Sequence, residues 1–580
     1  VSGLQTAEDG AAGELFRGAA LGAGVLALAV PEVLLPGVPQ ALAVLVLLGA
    51  AVGGGLGTRA GDLVGAGFLL LAVLGVVWSV DTGQSVVTVM GWVAWGGLLT
   101  LPRAREGWLV HAVALCLVLF ALSAVRQLAG GLRDAGGEAQ ALAVAPDMRG
   151  FVNLWAERGR ALGPFASPDM LATAALPMVA IPVSAALSAP PGPSRVFCWT
   201  AAVLGLGAVV ATQSVGALVS LAAAVVLVGV VAARRSRLAR NIFVALAVVA
   251  LSGVALLVVA RGQQGNNADV VAQPAHKAAL DRLEDWGNAL GMVDDAPLWG
   301  VGPGAFESAF NAWSPPGRRY SAYVHNTTLQ VVVEMGVLGG LLLFLVYLLL
   351  VREAWLAARG GDAGSQVLAV GVLAGVMHHQ LDYGGHTVAG AGLFLAAGVL
   401  RARLGVPRVL PGLPLRLALG MMALGAAWVC AGISLSERNV PRLPGEEGDV
   451  ETTRRGAALL SFDAHAQLAV AQDAAGWARG LTARGQDAAP AWAVFDAAAQ
   501  RTAVLAPLLP AGPMMLARGQ LERGNLAAAL LAQNVAVARS CCSRRLRQER
   551  LWTARALGDA ATVALDEAWL TAVGAPVPVP

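Results

Sequence analysis

Charge is what this sequence has least of. Only 13% of its 580 residues are Asp, Glu, Lys or Arg, about half the share of a soluble domain, while 57% are apolar or aromatic. Mean hydropathy is +0.65. That balance excludes a disordered chain and an ordinary soluble enzyme. Lysine is almost missing: Lys277 stands alone among 40 basic residues, and the net charge is only +3. Such a chain lacks the basic stripe of a nucleic-acid binder. Cysteine is scarce as well. Cys116, Cys198 and Cys430 sit inside apolar runs, and Cys541 and Cys542 are adjacent, where pairing is rare, so no disulfide framework is written here. What remains is a polytopic membrane protein.

A span needs about 20 mostly apolar residues. Candidates fall at 16–35, 39–57, 62–80, 84–101, 107–125, 169–189, 196–213, 215–233, 240–260, 326–351, 366–382, 386–400 and 413–435. The fold class expected is therefore all-α: a membrane protein of about 12–13 transmembrane helices. Ala27 and Ala29 imitate a signal-peptide cleavage site, but Glu8, Asp9 and Glu14 ahead of them oppose a positive n-region, so 16–35 reads as an uncleaved span. Arginines orient the set. They occupy alternate loops, as Arg59, Arg103 with Arg105, Arg195, Arg234 to Arg240, Arg352 with Arg359, and Arg401 to Arg416. The short loops between them carry none, which puts the N-terminus in the cytoplasm. The 71 glycines, such as Gly53-Gly54-Gly55, read as sites of close helix packing, not of chemistry.

Three polar segments then fall on the outer side: 126–168, 261–325 and the tail. Loops of that length between packed elements are functional or disordered. Being rich in Arg and Trp, the first two point to an anionic ligand handled at the outer face. The expected domains are 1–436, a polytopic membrane domain, and 437–580, a soluble, periplasmic α-helical tail. Leu516, Leu521, Leu526, Leu530 and Leu531 recur at helical spacing around Arg523-Gly524-Asn525, which suggests a degenerate repeat of tetratricopeptide type. A plain helical bundle is the other reading of the tail.

The run Pro297-Leu298-Trp299-Gly300-Val301-Gly302-Pro303-Gly304-Ala305-Phe306 is glycine-rich but lacks the Lys-Ser/Thr of a phosphate loop. Beyond it come His325-Asn326-Thr327-Thr328-Leu329-Gln330 and Glu334-Met335-Gly336-Val337-Leu338-Gly339. Arg282 and Trp286 precede the run; Arg160-Ala161-Leu162-Gly163-Pro164-Phe165, Trp78-Ser79-Val80-Asp81 and His378-x-x-x-Asp382 complete the set. In this order the motifs resemble the O-antigen ligase and polymerase superfamily of bacterial membrane glycosyltransferases, over roughly residues 60–400. One position departs: the family's T-x-S-R-G-A is here Thr212-Gln213-Ser214-Val215-Gly216-Ala217. Val215 replaces a candidate phosphate ligand, and either Arg158 or Arg261 takes its place or donor handling differs, as in a divergent or inactive member.

The resemblance implies a metal-independent, inverting glycosyltransferase of the bacterial inner membrane. It would take a glycan from an undecaprenyl-pyrophosphate carrier and transfer it to an acceptor hydroxyl at the outer face. As a polymerase or O-antigen ligase the acceptor is glycan or lipid A–core; as an oligosaccharyltransferase it is protein. The tail could dock polysaccharide export partners. Arg160 and Arg282 would clamp the pyrophosphate, because guanidinium forks bond phosphate oxygens bidentately. His325 would be the general base, since a free imidazole titrates at about 6.5 and suits that task. No cofactor is implied. His378, His379, Asp382 and His386 allow a zinc reading, but Tyr383-Gly384-Gly385 breaks the helix that would align them. A structural polar pair of His378 with Asp382 is the preferred alternative. A lipid-linked glycan transporter or flippase is the rival class, and would place charges inside spans; a non-catalytic membrane scaffold with a protein-binding tail is a third.

Overall fold

The computed structural model describes residues 56–57, 60–99, 106–131, 160–165, 167–233, 275–313, 321, 323–405, 408–409, 413–436, 449–540, 543–575 and 577, with a few isolated positions. The expected spans 16–35, 39–57 and 240–260 fall almost wholly outside these residues, as do Arg158 and Arg261. The protein is an all-α polytopic membrane protein. Its membrane part runs α1 (Ala60–Gly75), α2 (Thr82–Leu98), α3 (Glu106–Arg126), α4 (Pro168–Ser188), α5 (Pro193–Ala211) and α6 (Val215–Ala233). After α7 (Ala275–Asp295) and α8 (Phe306–Trp313) come α9 (Thr327–Gly360), α10 (Ala363–Leu381), α11 (Ala391–Arg403) and α12 (Leu413–Ser436). Among the described residues, five segments are long and apolar enough to cross a membrane: 109–129, 168–188, 193–211, 215–232 and 327–360. Leu122, Val203, Val230 and Phe344 on these helices are exposed, an apolar coat that suits lipid and not water.

Helices α4 and α10 form the centre: α4 packs on α3, α5, α10 and α11, and α10 also meets α6 and α9. Ser167 starts α4 by accepting the Met170 N–H at 3.2 Å, with Pro168 following in the first turn. The expected span 386–400 begins only at Ala391, because Gly384–His386 and Val388–Gly390 form short 3₁₀ turns. Gly384 and Gly385 let the chain fold beneath the ends of α4 and α9.

Helix α9, 34 residues long, is broken at Gly336, whose φ of 70° is left-handed. At the break the Val333 and Glu334 carbonyls leave the helical ladder and need other donors. The glycine-rich run supplies them: Val301 N–H donates to Val333 O at 3.1 Å and Gly302 N–H to Glu334 O at 2.8 Å. In return Val337 N–H donates to Pro297 O at 2.9 Å. The run is therefore a plug for a broken helix.

The tail continues as α13 (Val450–Leu459), α14 (Ala464–Ala483), α15 (Ala489–Leu505), α16 (Ala511–Glu522), α17 (Leu526–Arg539), α18 (Arg544–Leu557) and α19 (Ala560–Ala572). Each stacks chiefly on the next, as in quasi-linear helical arrays. Asp449, Asp463, Ser543 and Asp559 cap the starts of α13, α14, α18 and α19 by accepting first-turn N–H groups.

The break at Gly336 leaves no room for a side chain: a Cβ there would lie 2.0 Å from Leu298 O. Gly336→Ala is expected to destabilise the solubilised protein by about 1–3 kcal/mol from backbone strain, and by more from the clash. Gly207→Ala on α5, where a Cβ meets nothing within 4 Å, is expected to be neutral or slightly stabilising. Equal melting temperatures for the two variants would show that the break is dispensable.

Candidate functional site

The loop ends of α4, α6, α9 and α10 bring the sequence-predicted residues to one face. Asp382 lies at its centre. It ends α10 as the C-cap, and its side chain is 1% exposed. Oδ1 accepts the Tyr383 N–H at 2.7 Å and stands 3.5 Å from His325 Nδ1. Oδ2 faces Arg282 Nη2 at 3.7 Å. A carboxylate so deeply buried is tolerable only beside cations or donors, and besides the Tyr383 N–H it faces the side chains of Arg282 and His325. Both partners keep a solvent-facing side, at 31% and 23% exposure.

His325 immediately precedes Asn326, whose side chain caps α9 by accepting the Leu329 N–H at 2.9 Å. Its φ of 56° is left-handed, a costly backbone for histidine that recurs at functional sites. Tyr383 stacks edge-on to the His325 ring, centroids 5.1 Å apart, and face-to-face with Tyr323 at 4.1 Å. Tyr383 also donates its hydroxyl to Ser167 Oγ at 2.7 Å, tying the end of α10 to the start of α4. Thr327 Oγ1 donates to Asp382 O at 3.1 Å, tying α9 to the same point.

Arg160 stands beside the first turn of α4. Its Nε donates to Thr212 O at 2.9 Å and its Nη2 to Asp169 Oδ1 at 3.3 Å, with the side chain 10% exposed. Asp169 lies in the field of Arg160, Arg282 and His378 together, and takes a hydrogen bond from Ser214. Arg160 and Arg282 thus flank one carboxylate. The loop of Arg160 is pinned by Gln127, whose Oε1 accepts the Leu162 and Gly163 N–H groups, both at 2.9 Å. Because Arg160 bonds Thr212, its guanidinium stands at the turn leading to Val215.

The expected His378–Asp382 pair takes a different form. His378 is buried on α10 beside Gly216, in the field of both Asp382 and Asp169. Asp382 instead spends its oxygens on Tyr383, His325 and Arg282, because α10 ends at Leu381 and the cap turns the carboxylate toward the loops. The two share one helix end and do not join two spans. Of the other potential ligands, His379 Nδ1 bonds the Tyr347 hydroxyl at 3.0 Å, away from Asp382.

Sequence reasoning gave no site role to Asp169, which it noted only as opening a span, to Tyr383, noted only as a helix breaker, or to Tyr323 and Gln127. Asp169 had a usable signal, an acid in the first turn of an apolar span. The tyrosines had a weaker one, as two of only four in the chain.

Residues 200–344 match the family model described as O-Antigen ligase. The match takes in the Thr212–Ala217 turn, Arg282, the glycine-rich run and His325, and bears out the resemblance to the O-antigen ligase and polymerase superfamily. Arg160 and Asp382, which the fold brings to the same face, lie outside it, as does the whole tail, whose tetratricopeptide likeness it leaves without support. Among curated proteins no match was found.

Burial pushes the Tyr383 hydroxyl well above the ordinary tyrosine range, so it remains a donor to Ser167. A raised pKa means that its contribution is complete below that range and lost only as pH rises past it. Tyr383→Phe removes one bond and is expected to cost about 1 kcal/mol. Ser167→Ala is expected to cost about 2 kcal/mol or more, since it also removes the α4 cap and strands a buried hydroxyl. Unfolding midpoints at neutral pH check the order; a reversed order would refute this account of the tie.

Proposed function

We propose that the protein is a membrane glycosyltransferase that moves a glycan from an undecaprenyl-pyrophosphate carrier to an acceptor hydroxyl at the outer face of the inner membrane. It would act as a surface-polysaccharide polymerase or O-antigen ligase. The observation that carries this reading is the convergence of Arg282 and His325 on the single buried carboxylate of Asp382, within a chain whose residues 200–344 match the O-Antigen ligase family.

In this reading His325 accepts the proton of the acceptor hydroxyl as its oxygen attacks the anomeric carbon. Asp382 orients the ring and stabilises the imidazolium that forms, as a carboxylate does behind a catalytic histidine. The bond from the anomeric carbon to the phosphate oxygen breaks on the opposite side, which inverts the anomeric centre. The leaving pyrophosphate gains charge next to a low-dielectric bilayer. Arg282 and Arg160 offset it, because guanidinium holds its charge when partly desolvated and bonds two oxygens at once. Arg160, beside the turn to Val215, stands in for the arginine missing there. The chemistry asks no metal of these residues.

Orientation is supported by α9. His325 sits just before its start, while Arg352 and Arg359 lie toward the far end of the 34-residue helix, at most about 40–50 Å along it. Arginine-bearing ends face the cytoplasm, which leaves the site on the opposite side. The tail, 437–580, would then be periplasmic and placed to meet acceptors or export partners.

The test is a deletion strain complemented with wild type, Arg282→Lys, His325→Ala or Asp382→Asn, with membrane insertion checked for each. Every variant is expected to lose about 100-fold or more in transfer, Arg282→Lys included, because ammonium cannot reproduce the fork. Loss of long chains to single repeats marks a polymerase. Long chains stranded on the carrier mark a ligase or, where glycoprotein is lost too, a protein O-oligosaccharyltransferase. Normal glycans in the deletion strain would overturn the reading.

A further inference from the structure

The tail is not a detached appendage. We infer that His465, in the first turn of α14, is a positioning residue for the site: it holds Asp81, and through Asp81 the glycine-rich plug and His325. The effect on transfer rests on the function proposed above; the physical coupling does not.

His465 Nε2 lies 3.3 Å from Asp81 Oδ2. Asp81 is the N-cap of α2 and is 1% exposed. The same Oδ2 accepts Ser308 Oγ from α8 at 2.8 Å, and Oδ1 accepts the Gln84 N–H at 3.1 Å. Burial works to raise the Asp81 carboxyl, yet His465, Gln84 and Ser308 hold it below the ordinary carboxylate range. It is therefore a buried anion, and His465 is the one partner drawn from the tail. Removing one partner of such a group leaves the desolvation cost uncompensated.

The contact is backed by packing. A Cβ at Gly83, in the first turn of α2, would lie 2.5 Å from Asp463 Oδ1 and 2.8 Å from Asp463 Cα, so α2 and the cap of α14 touch. Val86, Val87 and Met90 of α2 pack into a core made by Val429, Ile433, Val470 and Phe495 of α12, α14 and α15. Leu508, beyond α15, packs on the cluster of Phe306, Phe310 and Val333.

From Asp81 a polar route leads to His325. The Trp78–Asp81 segment grips the plug, with Val80 N–H donating to Val301 O at 3.0 Å and Trp78 Nε1 to Trp299 O at 2.9 Å. Ser85 Oγ donates to Pro303 O. Next to it Gly304 N–H donates to Glu334 Oε2 at 2.7 Å, and Glu334 Oε1 accepts Gln330 Nε2 at 3.1 Å. Gln330 Oε1 in turn accepts the Val324 N–H at 3.2 Å, one residue before His325. Glu334, Gln330, Asp81 and Val324 are all buried, so each step lies where an unmade bond is costly.

The experiment uses the full-length protein in lipid nanodiscs, with hydrogen exchange read over residues 300–306 and 323–330 and transfer assayed on lipid-linked glycan. His465→Ala is expected to speed exchange in both segments and lower kcat by about 2- to 30-fold, with the donor KM little changed. His465→Gln, which restores a donor at similar reach, is expected to recover both. Gly83→Val, a wedge from the membrane side that leaves the tail sequence intact, is expected to reproduce His465→Ala. Unchanged exchange in His465→Ala and Gly83→Val, or equal effects of Ala and Gln at 465, overturns the inference. Absence of transfer in the wild type would sink the proposed function alone, since exchange would still decide the coupling.

Discussion

A carboxylate buried at the end of a membrane helix must be met by a cation or a donor, and Asp382 sets where the rest of this face stands. Its two oxygens divide between Tyr383, His325 and Arg282. Three separate chain segments, 282, 325 and 382, are thereby drawn to one point. Asp169 does the same for Arg160 and Arg282 on the neighbouring helix. The electrostatic need of each acid costs little in bulk water and several kcal/mol out of it, which makes these pairings organising contacts. They also leave guanidinium groups partly open and already facing one direction, the preorganisation that stabilises a developing anion without further rearrangement.

The second organising feature follows from α9 being unable to continue through Gly336. A break inside an apolar bundle exposes carbonyls that lipid cannot satisfy. The glycine-rich run meets them with its own N–H groups, and this fixes the loop between α7 and α8 against α9. Glu334, buried at the break, then bonds outward to Gly304 and inward to Gln330. Strain at the helix is thus converted into a rigid floor for His325, whose left-handed backbone needs such support.

Much of this was legible in the sequence, and the gaps have physical causes. Helices stand at each expected span within the described residues because apolar length is a strong, local signal. Arg282 and His325, which the resemblance had pointed to, fall inside the family-matched segment. The i,i+4 spacing brings His378 into the field of Asp382, but spacing is blind to a helix that ends at Leu381 and so to the contacts of Asp382 with Arg282 and His325. The pairings of Asp81, itself part of a quoted motif, with His465 and of Gln127 with Leu162 were out of reach for a different reason. Their partners lie 384 residues away for Asp81 and His465, and 35 for Gln127 and Leu162, and no periodicity encodes such pairings. The late start of α11 at Ala391 shows how far two glycines shift an element that hydropathy places five residues earlier.

The placement of ionisable groups bears on the choice between moving a glycan across the bilayer and transferring it at the surface. Among the described residues, Asp81, Arg160, Asp169, Arg282, His325, His378 and Asp382 gather at the helix ends of one face. Glu353, Arg401 and Arg403 gather at the other, where Arg401 pairs with Glu353 at 3.3 Å. Between the two levels the bundle is filled by Leu171, Met178, Ile181, Leu368 and Leu393, all fully buried. A transport path for an anionic headgroup would have to cross that apolar layer, and unpaired charge there costs several kcal/mol per group. The transferase proposed above would need charge only where its leaving group departs. The nearly exclusive use of arginine fits the same demand, since guanidinium is more weakly hydrated than ammonium and gives up less on leaving water. Chemistry confined to one face is what this distribution of charge can support.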